Sequence, residues 1–299
     1  MTDQLDSAFE NWLDIQARAL AAMRAALPAD APDEDRAEGH RWLTRMSRLV
    51  LDWAVERGDP LRPVLFRAQD EHTKLMGDNP DVTYHFCVLD PARAYRLHGK
   101  RGGASYLGLT FGSDLFGGND RLGGTTAQHD FDSFETSPDG TVEIRLGGAR
   151  ESTNWIELPP DTAHLAIRET FHDRATQPPA ELAIEPIEMP QPPRLDTAEL
   201  AASLERAGNF LLTIVDMCIA TYAAGGLLVN AIAGASGAAH GQQGHGSVRG
   251  HSDADMFYMG GRWRLEPGTM LQTHIVGVER HAEVLAPSPY DPQGKQMRL

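Results

Sequence analysis

The chain has 299 residues, 41% hydrophobic and 23% charged, a balance that excludes an extensively disordered protein. Acidic residues number 42 against 27 lysines and arginines, and the formal charge of −15 disfavours nucleic acid and anionic lipid as partners. The two cysteines, Cys87 and Cys218, exclude a disulfide scaffold and fit a reducing cytoplasm, and the acidic segment 1–10 lacks the pattern of a secretory signal. We therefore expect a cytoplasmic protein that contacts neither nucleic acid nor membrane.

Two amphipathic helices are predicted at the amino end, within a helical region spanning 1–66. Apolar residues recur at helical spacing from Gln4 to Leu27, and again from Asp33 or Asp35 to Arg57, with a proline-rich break at 28–32. The pattern predicts a helix pair that packs its apolar stripes on the main body of the protein.

From Val82 the apolar period changes from helical to alternating. The alternation predicts strands at 82–89, 94–98, 105–111, 141–146, 163–171 and 182–187, separated by turns rich in glycine, proline and aspartate. Because no helices lie between these strands, we expect an antiparallel β-sandwich or jelly roll rather than a parallel α/β sheet. This β-sandwich domain is predicted to span 67–190.

A helical segment is predicted to interrupt the β structure at 191–234. Asp196 and Glu199 form a capping box, and no Asp, Glu, Lys or Arg occurs from Met217 to Val248. Because Asp216 and Asn230 interrupt the apolar pattern, we favour a buried helical hairpin over a membrane span. A mobile glycine-rich loop and a second β segment, with strands at 255–259 and 270–278, are predicted for 235–299. The expected fold class is mainly β with helical additions.

Two predicted strand faces carry polar side chains of catalytic type. His85 shares a face of its strand with Thr83 and Cys87, and His164 shares a face with Arg168. Such a face is either the solvent side or the lining of a pocket. In a pocket the histidines would act as acid or base and Arg168 would hold an anionic oxygen. We expect His85, His164 and Arg168 to share one cavity and to be the catalytic residues.

No cofactor and no metal ligand set is predicted. The segment 230–237 superficially resembles the phosphate loop of short-chain dehydrogenases, but no tyrosine has a lysine four residues later, which argues against nicotinamide binding. The segment 117–124 looks like one turn of a calcium-binding repeat, and a single copy cannot complete an ion cage. The 12 histidines include no His-x-His pair, so a divalent-metal site at strand histidines or Asp pairs stays an open alternative.

The sequence resembles the bacterial family catalogued as domain of unknown function 1214. The resemblance rests on KLMGDNPDVTY at Lys74, AYRLHGKRG at Ala94, Asn154-Trp155, LAIRETF at Leu165, PAELAIE at Pro179 and GRWRLEPG at Gly261. It covers about residues 73–268. It implies β-sandwich, jelly-roll-like domains with no generally established activity. The chain departs from the family pattern after Leu271.

The Gly-Asp-Asn-Pro-Asp stretch of this resemblance has two interpretations. It suits a turn into the first strand, because Asp and Asn bond their own backbone and proline fixes φ. Alternatively it forms the rim of a sandwich pocket beside Tyr84 or His85. On that interpretation the substrate-binding residues are Asp78, Asn79, Asp81, Tyr84 and Trp155.

The expected function is an enzyme that acts on a small, largely apolar molecule by acid/base chemistry without a nucleotide cofactor. Two alternatives stay open: a non-catalytic carbohydrate- or lipid-binding β-sandwich protein, and a divalent-metal-dependent site. The expected partner is a small-molecule ligand. The sequence leaves the substrate, the reaction and the oligomeric state undetermined.

Overall fold

The computed structural model describes residues 4–70, 72–75, 79–116, 123–188, 196–223, 231–235, 258–262, 266–275 and 278–284. Its helices are α1 (Gln4–Ala26), α2 (Asp33–Leu51), which continues as a π-helical turn (Asp52–Glu56), and α3 (Thr197–Ala223). Three acidic residues in the first turn of α2 complement the positive amino end of the helix dipole. The predicted amino-terminal helix pair is present.

The strands of residues 66–186 form two sheets. They are β1 (Phe66–Arg67), β2 (Val82–Val88), β3 (Tyr95–Lys100), β4 (Tyr106–Gly112), β5 (Thr125–Asp130), β6 (Thr141–Leu146), β7 (Trp155–Ile156), β8 (His164–Thr170) and β9 (Glu181–Pro186). Sheet A has the order β1-β2-β8-β4-β5, and sheet B the order β7-β6-β3-β9. The neighbours pair antiparallel except β6 with β7, which are parallel. The fold is mainly β with helical additions, as the sequence predicts.

The two sheets face each other across one apolar core, which makes a β-sandwich. Alternate residues of the strands point into it, as the two-residue period requires. Its buried members are Cys87, Leu89, Tyr95, Leu97, Leu107, Leu109, Phe111, Phe131, Val142, Ile144, Leu146, Ile156, Leu158, Leu165, Ile167 and Ile184.

The helices form a third layer on the outer face of sheet A. Buried residues of α1, α2 and α3 share a second core with Phe66 of β1 and Val88 of β2. Trp53 lies at the centre, with ring centroids 5.3 Å from Phe66, 4.9 Å from Phe86 and 5.4 Å from Phe210. Sheet A is therefore covered on both faces, and β8 is buried from His164 to Glu169.

The carboxyl-terminal part differs from the sequence prediction. Residues 231–234, predicted within the helical segment, belong to β10 (Ala231–Ala235), which pairs antiparallel with β11 (Tyr258–Arg262). The predicted strand at 270–278 is a hairpin of β12 (Met270–Ile275) and β13 (Val278–Glu283). The mobile loop predicted for 234–250 is wrong at residues 234 and 235, which lie in β10, and its residues 236–250 lie outside the described residues. The division into four regions stays a prediction, although α3 packs in the same layer as α1 and α2.

The described helices include none that is both long and apolar enough to cross a membrane.

Candidate functional site

His85 lies on the face of β2 that looks into the sandwich. Its neighbour Cys87 belongs to the core between the sheets, whereas Phe86 packs against the helix layer. His85 is the Cα partner of Ile167 on β8, and both residues face sheet B. The imidazole is therefore directed between the sheets and away from the helices.

Glu169 continues the same inward row on β8. It follows Leu165 and Ile167 at two-residue spacing, and its side chain is 1% exposed. Its Oε1 lies 3.6 Å from Nδ1 of His85, whose side chain is 23% exposed. The backbone N–H of Ala180 donates a hydrogen bond of 2.8 Å to its Oε2. One carboxyl oxygen is thus held by the backbone, and the other faces the imidazole.

A small cavity surrounds this pair between the two sheets. Its volume is about 70 Å³, and its lining is Leu65, His85, Ile167, Glu169, Ala180 and Leu182. Four of the six lining residues are apolar, and the imidazole and the carboxyl group are the polar ones. A pocket with a few convergent polar groups is a candidate for a functional site.

Burial raises the pKa of one side chain of the pair and lowers the pKa of the other. Desolvation raises the pKa of Glu169 above its ordinary value, against the lowering effect of the Ala180 N–H and of two arginines. Desolvation also lowers the pKa of His85, and the charge of Arg67 lowers it further. Both shifts favour the neutral form of the group.

His164 and Arg168 lie on the opposite face of sheet A. They alternate with Leu165, Ile167 and Glu169 on β8, so the strand period directs them towards the helices. The expectation that His85, His164 and Arg168 share one cavity is therefore wrong.

Their surroundings are those of a buried interlayer contact. His164 is fully buried, and its ring centroid is 6.0 Å from that of Phe86. Arg168 donates a hydrogen bond of 3.2 Å to Thr110 Oγ1, and its Cα partner on β4 is Gly108.

Of the residues expected to bind substrate, four lie outside the cavity lining: Asn79, Asp81, Tyr84 and Trp155. Asn79 Oδ1 accepts from the Asp81 N–H at 2.9 Å, and the Asn79 N–H donates to the Tyr84 hydroxyl at 3.1 Å. Asp81 O accepts from Phe171 N, which fixes the turn to the end of β8. This geometry matches the turn interpretation of the Gly-Asp-Asn-Pro-Asp stretch. Asp78 lies outside the described residues.

Trp155 lies on β7 of sheet B as the Cα partner of Arg145, one residue out of phase with the buried Ile156. It therefore belongs to the outer face of sheet B, away from the cavity. Its Nε1 donates to Gly147 O at 3.2 Å, and the guanidinium of Arg150 is 5.8 Å from its ring centroid.

Glu169 is the site residue that the sequence interpretation missed. Its signal is present in the sequence: a carboxylate occupies the third position of a row that is otherwise apolar, after Leu165 and Ile167. A charged residue in an inward row needs a partner or a neutral form, which marks it as a candidate functional group.

Among the described residues, no three His, Cys, Asp or Glu side chains come together as a metal-binding group.

The fold is that of a β-sandwich protein, with a small cavity that is lined by an acid–imidazole pair. Comparison with solved structures finds an uncharacterised protein from Burkholderia cenocepacia, 30% identical, with a TM-score of 0.76, over 89% of this chain and 72% of that chain. The chain belongs to the same family as that protein. A protein from Vibrio parahaemolyticus is 14% identical with a TM-score of 0.31, over 54% of this chain and 47% of that chain. No protein-family model and no curated protein matches the chain.

Proposed function

We propose that the protein binds a small, largely apolar molecule between its two sheets and transfers protons to and from it through Glu169 and His85. The observation that carries this proposal is the buried Glu169 carboxyl group, 3.6 Å from the His85 imidazole at the wall of an apolar cavity. A buried carboxyl group without a countercharge in contact is costly to maintain for stability alone. The proposed chemical role accounts for this cost.

The electrostatics of the pair suit proton transfer. The ordinary pKa values are 4.5 for glutamate and 6.5 for histidine, and burial moves Glu169 upward and His85 downward. The two values move towards each other, which reduces the free energy required to pass a proton between the groups. At a substrate, the neutral acid is a proton donor and the neutral imidazole is a proton acceptor.

The proton transfer that fits this pair is enolisation of a carbonyl compound. Glu169 gives its proton to the carbonyl oxygen while His85 removes a proton from the adjacent carbon. The substrate C–H bond and the Glu169 O–H bond break, and a His85 N–H bond and an enol O–H bond form, leaving an enol, a carboxylate and an imidazolium. The reverse step returns a proton to carbon and restores both neutral groups, so no cofactor takes part.

We also propose that the chain is related to the family of domain of unknown function 1214 and that the protein is cytoplasmic. The location is supported by Cys87 and Cys218, both of which are free thiols.

The alternative of a carbohydrate-binding sheet is less favoured, because sheet A has no free face and the cavity walls carry no tryptophan, tyrosine or phenylalanine.

Exchange of carbon-bound hydrogen for deuterium tests the function. Methyl propyl ketone in heavy water is the probe, and its proton NMR signal beside the carbonyl is followed with and without protein. We expect the wild-type protein to accelerate exchange and both Glu169→Gln and His85→Asn to abolish the acceleration. Glu169→Gln keeps an oxygen to accept from the Ala180 N–H, so thermal unfolding checks that this variant is folded.

A matched pair on the outer face of sheet B provides the control. His98 Nε2 lies 3.5 Å from Glu185 Oε1, but these side chains are 30% and 52% exposed. We expect His98→Asn and Glu185→Gln to leave the exchange rate unchanged. Exchange no faster than in buffer, or equally fast in the Glu169 and His85 variants, would overturn the proposal.

A further inference from the structure

The cavity is deepest at Glu169 and most accessible at His85. The Glu169 side chain is 1% exposed and the His85 side chain 23%. Leu65, which precedes the edge strand β1, also lines the cavity. A ligand therefore approaches along the β1 edge of sheet A and reaches His85 before Glu169.

Arg67 lies on this approach. It is the Cα partner of His85 on β1, so the two residues share the face of sheet A that looks towards the cavity. Arg67 is exposed, and the contact recorded for its guanidinium is one hydrogen bond of 2.9 Å from Nε to Gln69 O. Its two terminal nitrogens can donate to a ligand that enters from this edge.

Arg174 adds a second positive charge at the Glu169 end. Its Nη1 donates to Thr83 Oγ1 at 3.1 Å, and Thr83 is the Cα partner of Glu169. In the described part of the chain, neither Arg67 nor Arg174 forms an ion pair. Arg101 differs, because Asp132 neutralises it through hydrogen bonds of 2.7 and 3.0 Å.

This local charge is opposite to that of the whole molecule. The protein carries a formal charge of −15, so its average field repels anions. Arg67 and Arg174 place positive charge beside the cavity, where Arg174 acts on Glu169 and Arg67 acts on His85. The guanidinium of Arg67 presents the parallel N–H donors that a planar carboxylate accepts.

Resting on the proposed function, we propose that the small molecule bound between the sheets is a carboxylate, with its apolar body in the cavity and its charged group on Arg67. The reacting carbonyl carbon then lies beside Glu169 and His85, inside the apolar walls. The substrate class is a short-chain keto acid. Arg67 is the residue that selects this class over neutral ketones.

Two probes of equal chain length distinguish recognition of the carboxylate from the exchange reaction itself. Levulinate carries a carboxylate where methyl propyl ketone carries a terminal methyl group. In the deuterium-exchange assay we expect the wild-type protein to half-saturate at a levulinate concentration about tenfold below that of the ketone, and added salt to reduce the difference. Arg67→Gln should remove the preference, measured as the ratio of the half-saturating concentrations of the two probes in the same variant, and Arg67→Lys should restore part of it.

Arg150→Gln is the matched control, because Arg150 packs on Trp155 at the outer face of sheet B. It should retain the full preference for levulinate. Equal half-saturation by the two probes in the wild-type protein, or an unchanged preference in Arg67→Gln, would overturn the assignment of the carboxylate while leaving the proton-transfer function intact. Failure of the ketone itself to exchange through His85 and Glu169 would instead reject the proposed function, and this inference with it.

Discussion

Glu169 and His85 are diagonal neighbours on adjacent antiparallel strands. His85 pairs with Ile167, and Glu169 lies two residues further along β8 on the same face. Diagonal positions on a sheet are separated by roughly 7–8 Å at Cα, a span that two long side chains bridge. The observed separation of 3.6 Å between Oε1 and Nδ1 shows that they do so here.

The pair predicts a specific dependence of stability on pH. The pKa of Glu169 is higher in the folded than in the unfolded chain, so its stabilising contribution is complete below about 4.5 and is lost as pH rises to the folded value. The pKa of His85 is lower in the folded chain, so its contribution is complete above about 6.5 and is lost as pH falls to the folded value.

Urea unfolding between about pH 4 and pH 8 measures both effects. In Glu169→Gln, the free energy of unfolding should fall less as the pH is raised from about 4. In His85→Asn, it should fall less as the pH is lowered from about 8. His98→Asn, on the outer face of sheet B, should retain both. If the slopes are the same in all four proteins, the pair does not titrate as the geometry indicates.

Trp53 is expected to join the helix layer to the sandwich. Its ring contacts Phe66, Phe86 and Phe210, which come from β1, β2 and α3. Trp53→Ala should lower the free energy of unfolding by about 3–5 kcal/mol, because it removes a buried ring from the centre of that core. Phe9→Ala is the control: Phe9 is 53% exposed, and its loss should cost no more than about 0.5 kcal/mol. Equal effects in chemical denaturation would contradict a shared core.

Alanine substitutions at three glycines distinguish the cost of backbone strain from the cost of a steric clash. A Cβ at Gly99, where φ is +139°, would lie 1.9 Å from the carbonyl oxygen of Glu181 on the paired strand β9. Gly140 has φ of +79° but an open surrounding, and Gly124 has neither constraint.

Alanine substitution at the three positions should therefore give a graded series in thermal or urea unfolding. We expect almost no change for Gly124→Ala, about 1–2 kcal/mol lost for Gly140→Ala, and about 3 kcal/mol or more for Gly99→Ala. A Gly99→Ala protein as stable as Gly124→Ala would show that β3 and β9 do not approach as closely as the pairing requires.

The sandwich could be predicted because its strands alternate clearly. Val82–Val88 and Thr141–Leu146 agree with the sequence prediction to within one residue, since buried and exposed positions differ strongly in polarity. Strands β1 and β7 are missed because two residues are too few to show a period. Residues 125–130 form β5 with half-buried polar side chains, for which the alternation gives no contrast.

The site could be predicted only in part. Alternation separates Thr83, His85 and Cys87 from their neighbours, but it does not tell which face of a doubly covered strand meets the other sheet. That choice depends on α3 and on the aromatic residues around Trp53, which are distant in sequence from β8. The sequence alone therefore groups His164 and Arg168 with His85 and leaves Glu169 outside the predicted site.

Direct titration of the pair tests the central claim. Carbon-13 labelling of glutamate carboxyl groups and nitrogen-15 labelling of histidine rings allow NMR to follow Glu169 and His85 across pH, with Glu169→Gln and His85→Asn supplying the assignments. The account predicts that Glu169 titrates above its ordinary value of 4.5, that His85 titrates below 6.5, and that each midpoint shifts when the other residue is replaced. The account would be contradicted if both groups titrated at their ordinary pKa values and neither midpoint changed when the other residue was replaced.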